Sequence, residues 1–75
     1  MGEVMTEYDT KVDEQQRPGM RFELYRRVKN YEEGRSTYWV VRQVDTKLDK
    51  RLCDKVFDDP IQAAEHFTAL HRKGL

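Results

Sequence analysis

The sequence predicts an α+β module: a three-stranded antiparallel sheet packed on one C-terminal helix, in the order βββα, preceded by a disordered N-terminal tail. Three observations carry this expectation. Residues 20–29 and 37–44 are two strand-like stretches separated by turn formers. A third stretch, 51–57, runs directly into Asp58-Asp59-Pro60. From there a helical periodicity continues to Gly74. The 75 residues allow one domain with a modest core, placed at residues 19–75, with residues 1–18 as the tail.

The tail is assigned as disordered because residues 1–18 lack a sustained helical or alternating pattern, and Gln15-Gln16-Arg17-Pro18-Gly19 reads as punctuation before the first strand. Met5, Tyr8 and Val12 fall near one helical face, a weak means of folding against a partner. The tail is also acidic. Residues 1–16 carry one Lys against five Asp/Glu, residues 17–55 eleven Lys/Arg against six, and residues 56–75 two against three. An acidic block thus precedes a basic one although the chain is neutral. Such blocks mark interaction surfaces or simply keep a tail solvated.

From Met20 the apolar residues alternate. Met20, Phe22, Leu24 and Val28 take one side, and Arg21, Glu23, Tyr25, Arg27 and Lys29 the other, which describes a half-buried strand. Residues 30–36 supply a turn in which Gly34 can adopt a positive φ. Residues 37–44 are rich in β-branched and aromatic side chains on both parities, which suits the central strand of three. Residues 45–50 turn the chain again, and 51–57 return as the third strand. Pattern alone does not fix which faces Trp39, Leu52 and Cys53 occupy.

The helix has a fuller grammar. Asp59 suits the N-cap, Pro60 the first helical position, Gln62 completes a capping-box spacing, and Gly74 suits a left-handed stop. Ala63, Ala64, Phe67, Leu70 and His71 fall on one stripe with Ile61 at its edge, and this stripe is expected to cover the sheet.

Composition excludes several functions. Hydrophobic and charged residues each make up 37% of the chain, polar for a globular protein, yet Trp39, four Tyr and three Phe suffice to seed a core. A single cysteine, Cys53, rules out an internal disulfide framework and fits a reducing compartment. Residues 1–16 hold no apolar run suited to a signal peptide, and no stretch approaches the roughly 20 apolar residues of a spanning helix. The expectation is a soluble cytoplasmic protein without membrane contact. Ser36 is the only serine, and His66 and His71 point about 140° apart on the helix, so neither a triad nor a metal pair is expected. Cys53 reads as a packing residue and Asp58-Asp59 as helix-start residues. We expect no enzyme, no catalytic residue, no metal site and no cofactor.

What remains is a surface. If the helix covers the side holding Phe22 and Leu24, the opposite side presents Arg21, Tyr25, Arg27 and Lys29, joined by Tyr38 and Arg42, with Lys55 as a supporting charge. Cations interleaved with aromatics neutralise phosphates and stack on bases, so nucleic acid is the leading expected partner. Ordinary solvated strand residues paired with Glu23 and nearby acids are the plain alternative.

The order strand-strand-strand-helix, with the run from Val56-Phe57-Asp58-Asp59-Pro60 to Phe67, resembles the sheet-plus-helix DNA-binding domains of phage integrase arms and plant APETALA-type proteins. The spacing of Phe57, Pro60, Ala63, Leu70 and Gly74 is similar to that of the small bacterial cell-division activators of the CedA type. The resemblance covers about the last 55 residues and implies a regulatory, DNA-binding role through the sheet. The matching positions are packing and capping residues, and no DNA-contacting residue is carried over. A neutral chain with an acidic start departs from the basic character of a sheet-based DNA reader. The second expectation is therefore a protein-interaction module, such as a phage- or plasmid-type regulator or an inhibitor of a host protein. It would use the arginine-rich face, the acidic tail and the open edges, which also suit homodimerisation by edge-strand pairing.

Overall fold

The computed structural model describes residues 3–73. Four strands, β1 (Val4–Arg17), β2 (Met20–Tyr31), β3 (Gly34–Asp45) and β4 (Lys50–Phe57), precede one helix, α1 (Pro60–Lys73). The strands pair antiparallel in the order β1-β2-β3-β4, so every connection is a hairpin. The expected antiparallel sheet with a C-terminal helix is present, with four strands instead of three.

The extra strand is the stretch expected to be a disordered tail. Residues 4–17 pair along nearly the whole of β2, and only residues 1 and 2 of that segment lie outside the described residues. Few of its residues favour strands, and its apolar residues Val4, Met5, Tyr8 and Val12 are all exposed, so no buried alternation announces it. It is held instead by backbone pairing and by cross-strand side-chain pairs. The boundary placed at residues 18 and 19 is a two-residue hairpin loop. Pro18 and Gly19 occupy its centre, with Gly19 at φ 79°, the Pro-then-Gly arrangement of a type II turn.

The second hairpin turns at Glu32-Glu33, tighter than the expected turn over residues 30–36. Gly34 opens β3 without the positive φ anticipated for it, because among the described residues only Gly19 and Asp49 have one. Between β3 and β4, the Asp45 carboxylate accepts the N–H groups of Lys47 (2.9 Å) and Leu48 (3.1 Å). Asp49 closes that loop at φ 51°, a conformation that a short polar side chain tolerates. The N–H of Thr46 donates to the Gly19 carbonyl at 3.2 Å, tying the first turn to the third.

The Asp59 side chain accepts the N–H of Ile61 at 2.9 Å and its carbonyl that of Ala63 at 3.1 Å, so Asp59 is the N-cap as expected. The helix runs to Lys73; the stop expected at Gly74 lies outside the described residues. Ala63 and Phe67 pack on Phe22, Leu24 and Val41, bordered by Met20, Trp39, Phe57 and Leu70. This places Trp39 on the helix side, beside its cross-strand partner Phe57. Ala64 and Ile61, expected on the covering stripe, face outward, and Ile61 is 69% exposed. The helix is turned so that Ala63 and Phe67 are buried against the sheet, with His66, Leu70 and His71 half-buried beside them. No residue in the stretches 26–31 and 34–38 belongs to this helix-packed core, so the far half of the sheet stands without a helix above it.

Phe67→Ala is expected to cost about 3–5 kcal/mol in urea denaturation, because the ring is buried at the centre of the helix–sheet contact. Deleting residues 1–16 removes a strand rather than a tail, so the urea midpoint should fall well below that of the whole chain; equal midpoints would contradict the β1–β2 pairing.

Candidate binding face

The side of the sheet opposite α1 has no element over it. Alternation and register place Glu7, Asp9, Lys11, Glu14 and Gln16 of β1 there, next to Lys29, Arg27, Tyr25, Glu23 and Arg21 of β2. The rows continue through Ser36, Tyr38, Val40, Arg42 and Val44 of β3 to Val56 and Asp54 of β4. Of the seven predicted site residues, six share this face: Arg21, Tyr25, Arg27, Lys29, Tyr38 and Arg42. The seventh, Lys55, pairs with Val41 and sits on the helix side, its ammonium 5.5 Å from the Phe57 ring. A parity reading of β4 without its register left that residue unplaced.

The cations of this face are all paired. Arg27 donates to both Asp9 oxygens (2.9 and 3.1 Å) and Arg42 to both Asp54 oxygens (2.9 and 3.2 Å), the fork geometry that suits guanidinium to carboxylate. Lys29 lies 3.5 Å from Glu7, and Arg51 donates to Asp54 at 3.3 Å. Glu14 and Glu23 stand directly opposite each other, a repulsive arrangement. Lys11 relieves it by contacting both, at 2.7 and 3.0 Å, and Arg21 donates to Glu23 at 3.0 Å. The sequence does not announce the partners contributed by β1, because that segment reads as a tail. Glu7, Asp9 and Lys11, spaced by two, were the available signal.

Glu23 is only 4% exposed, the one buried charged residue in the described core. Burial alone would raise its pKa. Hydrogen bonds from Lys11 and Tyr25 and the nearby charges of Lys11 and Arg21 outweigh it and hold the carboxyl below its ordinary 4.5. Arg27 likewise lowers Asp9, and Lys11 lowers Glu14.

Val40 is fully buried although no helix lies above it. Its cross-strand neighbours are Tyr25 and Val56, and the Arg42 guanidinium lies 4.8 Å over the Tyr25 ring, so stacked and stretched side chains form its roof. Lys29 stands 5.9 Å over Tyr38. At the tip of the second hairpin, Tyr31 and Tyr38 flank Ser36 and Gly34 in a notch of about 390 Å³.

The far half of the helix side differs. Among the described residues Arg26, which is exposed, has no carboxylate partner and Arg35 donates to the Asn30 side-chain oxygen at 3.1 Å, while Asn30 donates to Thr6 at 2.8 Å. Tyr8, Val28 and Trp39 share this side. Of the sheet edges, β1 is bulged near Val4/Thr6 and Lys11/Asp13, and β4 carries Lys50, Arg51 and Lys55, both devices that discourage edge pairing. Among the described residues no group of three His, Cys, Asp or Glu could hold a metal ion, and no helix is long and apolar enough to cross a membrane.

Together these features define a class: a four-stranded meander backed by one helix, with an uncovered, charge-paired face carrying Tyr25, Tyr31 and Tyr38. No family model matches the chain, and neither a curated protein nor a solved structure matches it.

Acid should loosen the fold in two stages, the first at the helix side and the second at the uncovered face. His66 is lowered from its ordinary 6.5 by burial and by Lys55, so its neutral form is favoured, and stability falls as the pH drops below about 6.5 and the unfolded chain takes up that proton first. Asp9, Glu14 and Glu23 are depressed carboxylates. Their contribution is complete above 4.5 and is lost as the pH falls through their lower folded values. Glu23→Gln should cost about 1–3 kcal/mol at pH 7 and flatten the lower stage in urea titrations from pH 7 to 3.

Proposed function

We propose that this chain is a small non-enzymatic binding module that recognises a protein partner through the uncovered sheet face. One observation carries the reading. Each cation of that face is already bonded to a carboxylate of the same face, six cations against five acids. Binding to nucleic acid draws its strength from unneutralised cations that displace counterions. Here a phosphate would exchange one charge-assisted pair for another, with little net gain. A mosaic of both signs instead complements a partner of mixed charge and sets register more than affinity. Tyr25 and Tyr38 supply amphipathic contact area, and the Tyr31–Tyr38 notch is large enough for one partner side chain. A regulator or inhibitor that occupies another protein's surface fits this description.

A second reading rests on the far half of the helix side. Arg26 and Arg35, without a carboxylate partner among the described residues and on the same side as Tyr8 and Trp39, form the part of the sheet best suited to a nucleic-acid backbone with stacked bases. The leading expectation of nucleic acid through Arg21, Arg27, Lys29 and Arg42 thereby moves to a different surface.

One pair of measurements separates the readings. Affinity capture from the native host is expected to retain a protein that Tyr25→Ala and Tyr38→Ala each release, while labelled DNA and RNA oligonucleotides give no anisotropy change at low salt. If oligonucleotides bind and the binding weakens on Arg26→Ala or Arg35→Ala, each lowering the salt slope by about one, the second reading replaces the first.

A further inference from the structure

The outward side of α1 is diametrically opposite its core side. At 100° per residue, Ile61, Ala64, Glu65, Thr68 and Arg72 gather on one arc with Ala69 at its border, while Ala63, Phe67 and Leu70 gather on the other. A solvated helix face normally carries charged side chains. This one sets an isoleucine that is 69% exposed and two exposed alanines among Glu65, Thr68 and Arg72, all lining an open depression of about 620 Å³.

The positions of these residues are symmetric about the helix midpoint, between His66 and Phe67. Ile61 and Arg72, Ala64 and Ala69, and Glu65 and Thr68 are equidistant from it. A two-fold axis perpendicular to the helix at that point brings each residue of a pair against its mate in another copy, as an isologous contact requires. The chemistry agrees with the geometry. The two small alanines oppose each other and permit close approach. The Glu65 carboxylate meets the Thr68 hydroxyl. The stem of Arg72 lies over Ile61, and its guanidinium extends toward the helix start, where Asp58 is exposed. Among the described residues of one copy, neither Asp58, Glu65 nor Arg72 forms an ion pair. Antiparallel pairing puts the acidic N-terminal half of each helix against the cationic C-terminal end of the other, with opposed helix dipoles.

We propose that this face is a homodimer interface in which two copies of α1 pack antiparallel about the His66–Phe67 midpoint. The occupant is a second copy of this chain, held by Glu65 against Thr68 nearest the axis, by the facing alanines that flank them and by acid-to-arginine pairing at both ends. The sheets then lie on the outside, with their uncovered faces turned away from each other. The proposal stands independently of what those faces bind, and it uses neither sheet edge.

Sedimentation velocity on the full chain tests it. The expected result is a mass twice that of the single chain, falling toward one copy on dilution. Ala64→Glu and Ala69→Lys, both at exposed positions of good helix formers, are each expected to give single-copy mass with an unchanged far-ultraviolet circular dichroism spectrum. The double variant Ala64→Glu/Ala69→Lys places opposite charges at the facing positions and is expected to restore the doubled mass. Three results would overturn the proposal: a wild type that stays single-copy at millimolar concentration, a dimer indifferent to Ala64→Glu, or a double variant that remains single-copy.

Discussion

The pairing of β1 with β2 is the constraint on which the other features depend. An acidic strand lies beside a basic one, so Asp9 meets Arg27, Glu7 meets Lys29, and Lys11 and Arg21 bracket Glu23. The charge asymmetry along the neutral chain is therefore internal complementarity, used up when the first hairpin closes. Each exposed pair contributes only up to about 1 kcal/mol. The backbone bonds along β1 do most of the holding, and the charges select the register by making a one-residue slip place side chains of opposite sign on different faces. Without β1 the sheet would have β2 at its edge, with Glu23 stripped of Lys11.

Much of the fold could be read from the residues. The alternation from Met20 to Val28 placed both sides of β2 correctly, and the Asp59-Pro60 start of the helix is formed as its residue types require. Apolar burial leaves a periodic trace, and capping leaves a local one. The first strand leaves neither, because its apolar side chains are exposed and its partners are charges that lie 18 residues away, as Asp9 is from Arg27. Pro18-Gly19 was recognised as a turn. Its other side was not recognised as a strand, since the residues before it lack strand propensity.

The candidate face was legible in outline. Six of its expected residues come together because they share parity across paired strands, and Lys55 departs because the register of β4 against β3 puts it beside Val41. The pairing of those cations depends on which strand lies next to each: Arg42 meets Asp54 of β4, whereas Arg27 and Lys29 meet acids of β1, a segment whose pattern reads as a tail. The partners then change the chemistry from a phosphate-seeking surface to one of balanced sign. On the helix side Arg26 and Arg35 have no carboxylate partner among the described residues, and their rows carry the Thr10 and Thr6 hydroxyls and the Asn30 amide.

The roof over Val40 has a consequence for any guest. Tyr25, Val56 and the stretched Arg42 keep a central valine dry on a side that faces the solvent. A visitor that draws Arg42 away from Asp54 by charge alone would admit water to that valine, and the wetting would oppose its stay. One that lays its own greasy surface across the gap reseals it. A partner on this side of the sheet would thus be favoured by how well it excludes water rather than by its charge.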